Sequence, residues 1–243
     1  MIVHTLETAK KPRISFNMLC EYPHVSPAAK KRILHNQKFP KCFQVSYYQP
    51  ALTALLRSLD LATGKFNPDI LAAEILRITT KEAKKPRQVA RKANNLLAAE
   101  NIAIMSSSLA LPAGQNSRIQ QKAILDIEGV DVSVRPEFIT QNQQLNGFSL
   151  TKFRFSKSPV SADAVETGLI LLLEYAKEAR FNRSILDFEQ TRIVDVFSQT
   201  VIQAHTVGRH RLLEVKKSLG EIVNLWPFIK SETDLDIYDG PGG

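Results

Sequence analysis

Near residue 121 the spacing of apolar residues changes from the helical period of about 3.6 to the two-residue alternation of strands. That change constrains the fold more than any other feature of the chain. Before it, Ala51, Leu52, Leu55, Leu56 and Leu59 recur at helical spacing, as do Ile70, Leu71, Ile75 and Ile78, and a third helical pattern runs from Val89 to Ala99. Ser26-Pro27 opens a basic helix, with Ser at the cap and Pro in the first turn, and Asn67-Pro68 opens another. Gly64 is a stop signal between helices. After the change, Ala123 to Glu128, Val130 to Thr140 and Phe148 to Phe155 alternate, with Glu128-Gly129 and Asn146-Gly147 as turns. They predict a three-stranded meander. Ser161 and Asp163 then open an apolar helix to about Ala179, Arg192 to Ala204 reads as a strand or hairpin, and Arg211 to Leu225 as a last helix.

The fold class expected is α/β, with a mostly helical N-terminal half followed by a meander, helix, strand and helix. The chain divides into a basic helical region at 1–64, an α/β core at 65–230 and a disordered acidic tail at 231–243. No apolar run reaches the roughly 18 to 20 residues of a membrane helix, so no membrane association is expected. The N-terminal residues carry no recognisable secretory signal, which predicts a cytoplasmic protein. Two cysteines, Cys20 and Cys42, make neither a disulfide framework nor a zinc pattern and are expected reduced and buried. Phosphate loops and dinucleotide fingerprints of glycine are absent from the sequence.

Charge is divided unevenly. Residues 1–120 carry a formal +11 and residues 121–243 carry −3. A basic half joined to an ordinary half fits a polyanion-binding protein, because neutralising phosphates releases counterions. Two clusters stand out, Lys30, Lys31, Arg32, Lys38 and Lys41, then Lys81, Lys84, Lys85, Arg87, Arg91 and Lys92. Lys30, Lys31, Arg32, Lys84, Lys85, Arg87, Arg91 and Lys92 are the candidate nucleic-acid contacts, and Tyr47 and Tyr48 could stack on bases or join the core.

Metal-dependent phosphodiester hydrolysis needs oxygen ligands for Mg²⁺ and a lysine beside the attacked phosphate. Asp131 begins the expected second strand, Glu137 lies near its end and Lys152 is in the third, so strand pairing could bring an acid to a lysine. Asp131, Ser133 and Arg135 share one face of their strand, and Val130, Val132 and Val134 the other. Asp195 stands inside an apolar strand and is expected to pair with an arginine such as Arg192.

In element order, residues 65 to 225 resemble the PD-(D/E)xK nuclease-like (restriction-endonuclease-like) superfamily. The resemblance implies Asp131 as the first acid, Lys152 as the lysine and Glu74 as an acid from the preceding helix. The sequence departs from the motif at Leu150, two residues before Lys152, where the family keeps a carboxylate. Glu137, or Glu166 and Glu174, would then supply the second acid, with Glu74 and Glu137 preferred. The catalytic set expected is Asp131, Lys152, Glu137 and Glu74, with Mg²⁺ held by Asp131 and Glu137. The function expected is nucleic-acid binding by a nuclease-like core with metal-dependent hydrolysis. The alternative is a non-catalytic nucleic-acid-binding or protein-binding subunit of a larger complex.

Overall fold

A computed structural model describes residues 10–40, 47–106, 109–119, 123–142, 146–157, 161–178, 185–203 and 209–231. Cys42 and the acidic tail expected after residue 231 lie outside the described residues. The chain is mixed α/β, with most of its helices in the N-terminal half.

A short strand β1 (Arg13–Ser15) runs into helix α1 (Phe16–Glu21), a 3-10 turn at Tyr22–His24 and helix α2 (Pro27–Lys38). Ser26 caps α2 by accepting from the amide of Ala29, and Pro27 takes a position whose N–H would have no partner. Helices α3 (Gln49–Ser58), α4 (Pro68–Thr80) and α5 (Pro86–Met105) follow. The Asn67 side chain accepts from the amides of Asp69 and Ile70 and so starts α4. Gly64 turns the loop before it with φ +68°, and its carbonyl accepts from Leu111.

The expected meander is instead two hairpins in different sheets. Strands β3 (Ala123–Ile127) and β4 (Val130–Val134) join through Glu128 and Gly129, both at positive φ, and β1 pairs parallel with β4 to complete a sheet of order β1-β4-β3. Strands β2 (Gln115–Arg118), β5 (Phe138–Asn142) and β6 (Gly147–Arg154) belong to the other sheet. Arg135, Pro136 and Glu137 lie outside any strand between β4 and β5. Pro136 has no N–H to give a ladder, and the chain changes sheets there.

Helix α6 (Ala162–Glu178) carries the chain back across the second sheet, past the two-residue strand β7 (Ile185–Leu186), to β8 (Arg192–Asp195), which lies parallel to β6. Strand β9 (Thr200–Gln203) closes the order β2-β5-β6-β8-β9, and β7 pairs with the start of β6. Helix α7 (Arg209–Leu225) and a 3-10 turn at Trp226–Phe228 follow.

Every residue of β6 is buried, because the sheet is covered on both faces. Phe148, Leu150 and Ile193 pack with α1, α2, α6, α7 and the small sheet. Phe138, Phe153 and Val194 pack with α3, α4 and α5. This packing groups α1 and α2 with the C-terminal helices, and it joins α3 to α4 across the expected boundary at 64/65. Gly168 marks the tightest crossing, since a methyl group there would lie 2.7 Å from Ile193 Cδ1 and 3.0 Å from Phe16 Cζ.

Candidate functional site

Asp131 and Lys152 are held in separate sheets with separate partners. Asp131 faces solvent on β4 opposite Asp126 of β3, and like charges in that register repel. Lys11 lies between them, within hydrogen-bond distance of both carboxylates. Its bonds to Asp131 and Asp126 raise the Lys11 pKa, and the same contact lowers that of Asp126. Asp131 therefore acts in a surface ion-pair cluster that fastens residue 11 to the small sheet. The expected alternation of β4 is present, with Val130, Val132 and Val134 buried and Asp131 and Ser133 turned outward.

Glu137 is the acid that meets Lys152. Its amide bonds the carbonyl of Thr151 on β6, which holds the residue beside the strand. Its Oε1 accepts from Lys152 Nζ at 2.7 Å and its Oε2 from the amide of Phe153 at 2.6 Å. The Lys152 ammonium also lies 5.7 Å from the centre of the Phe16 ring on α1.

Two residues further along β6, Arg154 donates to Asp195 at 2.6 Å and to Glu21 at 3.0 Å. Asp195 thus pairs with an arginine as expected, and that arginine is Arg154, its neighbour across the parallel β6–β8 ladder, rather than Arg192. Its other oxygen accepts from the amides of Phe197 and Ser198. Arg192 donates to the carbonyl of Ala110 instead, and burial pulls its guanidinium down to about 10, still protonated at neutral pH. Lys152 and Arg154 are therefore buried and paired. Cys20 packs nearby, and burial, opposed by the Arg154 charge, pushes its thiol up to about 12.

A Mg²⁺ ion prefers near-octahedral oxygen ligands including one or two carboxylates. Beside Lys152 both oxygens of Glu137 already accept from nitrogen donors, and Leu150 is fully buried among apolar side chains. Asp131 lies on the other sheet, where its carboxylate is already engaged by Lys11. Among the described residues no group of three or more His, Cys, Asp or Glu side chains is placed to hold a metal. Glu166 is engaged by Arg211, and Glu174 by Lys177.

Glu74 also lies apart from Lys152. It is a nearly buried carboxylate on α4 that accepts from Arg57 at 2.7 Å and from Arg77 at 2.8 Å. Burial pushes its carboxyl up, but the hydrogen bonds and charges of the two arginines outweigh burial and hold it below the ordinary range. Each guanidinium donates one N–H to Glu74 and stays about half exposed.

Those two arginines border a cleft of about 400 Å³ among α3, α4 and α5. Its walls carry Arg57, Arg77, Lys81, Arg91 and Lys92 together with the amides of Gln49, Gln88 and Asn95. The acid in its lining is Glu82, which Lys84 pairs at 3.1 Å. Arg91 is fixed against Tyr47, donating to its carbonyl with the guanidinium 6.0 Å from its ring centre. Tyr48 turns inward against Phe155 and Phe197, and Tyr47 stays partly exposed.

A second cleft, of about 330 Å³, opens on the other side of α3 between Leu52 and Leu56 and the residues Arg118, Arg135 and Glu137. Arg118 donates to the carbonyl of Leu56.

The two basic clusters fall on opposite layers. Arg91 and Lys92 enter the first cleft, while Lys84, Lys85 and Arg87 are exposed near its rim at the start of α5. Lys31 and Arg32 are exposed on α2 in the other layer. Lys30 is occupied, since it bonds both oxygens of Glu221 on α7 and lies 4.9 Å from the Tyr22 ring centre. Arg57, Arg77 and Arg118 were not singled out from the sequence, because each lies outside the two basic clusters and at least 20 residues from the other two. The one local signal was Glu74 three residues before Arg77, a spacing that places the two on one helix face. Compared with known proteins, the chain matches no family model and no curated protein.

Proposed function

We propose that this protein binds nucleic acid in the cationic cleft of α3, α4 and α5, on a nuclease-like core that serves as scaffold. One observation carries the reading: Arg57, Arg77, Lys81, Arg91 and Lys92 converge on one concave surface from segments up to 35 residues apart. A cleft lined by one sign of charge between low-dielectric walls focuses potential. Arginine forks suit phosphate oxygens, and Glu74 orients two of them in advance.

What supports a scaffold role for the core is that the acid beside β6 and the lysine on it, Glu137 and Lys152, are paired with each other. In nuclease-like terms Glu137 takes the place expected for Asp131, and Leu150 supplies no second carboxylate. A subunit that holds nucleic acid for a protein partner in a larger complex is consistent with this chemistry.

Fluorescence anisotropy with labelled single-stranded DNA and RNA tests the proposal. The double variant Lys81→Glu/Lys92→Glu should bind at least about tenfold more weakly at low salt, with a log–log salt slope shallower by about 0.7 for each phosphate no longer neutralised. Unchanged affinity and slope would overturn it. Incubating wild type with plasmid and linear DNA in Mg²⁺ or Mn²⁺ tests the hydrolytic reading, and metal-dependent cleavage abolished by Glu137→Gln would establish it.

A further inference from the structure

The two clefts share one wall, and that wall is α3. Gln49, Thr53 and Arg57, spaced by four, line the first cleft, while Gln49, Leu52 and Leu56 line the second. Helix α3 is thus a ridge with one groove on each side. Gln49, at its first turn, belongs to both grooves, so they meet around that end of the helix.

The second groove is cationic at its mouth. Arg118 and Arg135 flank it, and the charge of Glu137 is matched by Lys152 beneath it. Arg135 is exposed and has no hydrogen bond or ion pair among the described residues. Nothing in the ion-pair network of the described residues uses it. Arg118 is anchored through one N–H to Leu56, which leaves its other donors for the groove.

We propose that one single strand of nucleic acid occupies both grooves, turning around the first turn of α3 at Gln49 so that its phosphates meet Arg118 and Arg135 after leaving Lys81, Arg91 and Lys92. This rests on the nucleic-acid reading of the first cleft and extends it. Size favours a single strand. The cleft volumes, about 400 and 330 Å³, are those of pockets for small molecules, so each receives a nucleotide or two. A duplex is too broad to enter either, since its two backbones stand on either side of a major groove about 12 Å wide. A helix with its side chains is about 10 to 12 Å across, which a strand of a few nucleotides can round. Gln49 offers both a carbonyl and an amide at the turning point and can meet a base edge or a sugar without adding charge.

Oligothymidylates of about 6 and about 20 nucleotides, within and beyond the usual site size of one single-strand-binding module, separate the outcomes. Binding is read by anisotropy for wild type, Lys81→Glu/Lys92→Glu, Arg135→Glu and Arg118→Glu/Arg135→Glu. Thermal melts accompany each, and Arg135→Glu is the variant least able to disturb folding. The inference expects Arg135→Glu to weaken the long oligomer several-fold and reduce its salt slope by about 0.7, with the short oligomer affected less. A duplex of equal length should bind more weakly than the long single strand. If Lys81→Glu/Lys92→Glu weakens the long oligomer while both second-groove variants bind it as wild type does, the shared path is overturned and the first cleft stands. Equal or tighter duplex binding also overturns the path. If wild type binds neither oligomer, the nucleic-acid reading itself fails.

Discussion

Lys152 Nζ lies 2.7 Å from Glu137 Oε1, with the two side chains only 11% and 5% exposed. The second oxygen of Glu137 takes the Phe153 amide, so one carboxylate satisfies an ammonium and a backbone donor together. Each charge is withdrawn from water, and the cost of that withdrawal is offset only while both partners are present.

Removing one partner should therefore be worse than removing both charges. Lys152→Met is expected to destabilise by about 3 to 5 kcal/mol, because it leaves a buried carboxylate unpaired. Adding Glu137→Gln should recover much of that loss, since the amide oxygen can still accept from Phe153. Urea unfolding of the two singles and the double checks this, and additive losses would contradict it.

Magnesium should leave the stability unchanged. A ligand that binds only the folded state raises stability as its concentration exceeds its dissociation constant. With both Glu137 oxygens committed and Leu150 beside them, millimolar Mg²⁺ should not move the melting temperature. A rise in melting temperature that Glu137→Gln abolishes would return the site to metal chemistry.

Glu74 gives a pH signature. Burial pushes its carboxyl up, but Arg57 and Arg77 hold it below the usual value. A carboxyl whose folded pKa is depressed contributes stability that is present above its unfolded pKa, about 4.3, and lost as pH falls through the folded value. Wild type should accordingly lose stability faster than Glu74→Gln as pH drops from about 5 towards 3. Denaturant midpoints at successive pH values measure it, and parallel curves would rule the arginine clamp out.

Gly168→Val should disturb the contact of α6 with α1 and β8. Even a methyl group there meets Ile193 and Phe16 too closely, and overpacking of this kind costs about 1 to 3 kcal/mol. Phe16 also covers the Lys152 ammonium, so the substitution should expose the Glu137–Lys152 pair. Faster hydrogen exchange at the Phe153 amide would report it, and unaltered exchange and stability would contradict it.

Local signals in the sequence determined much of the secondary structure. The Ser26 and Asn67 caps start α2 and α4 where their residues predict, Glu128-Gly129 turns the β3–β4 hairpin, and alternation turns Val130, Val132 and Val134 inward. These are decided within a few residues by cap hydrogen bonds, allowed φ values and side-chain period. Which strand meets which was decided only by tertiary structure. Alternation says which face of a strand is buried but names no partner, so Val130 to Thr140 reads as one strand although Pro136 divides it between two sheets. That division sends Asp131 to Lys11 and brings Glu137 to Lys152. Charge composition placed the basicity in the first 120 residues. Only folding brought Arg57 of α3 and Arg77 of α4 to the same cleft as Lys81, Arg91 and Lys92, because helices packed through their apolar faces bring together cations from separate segments.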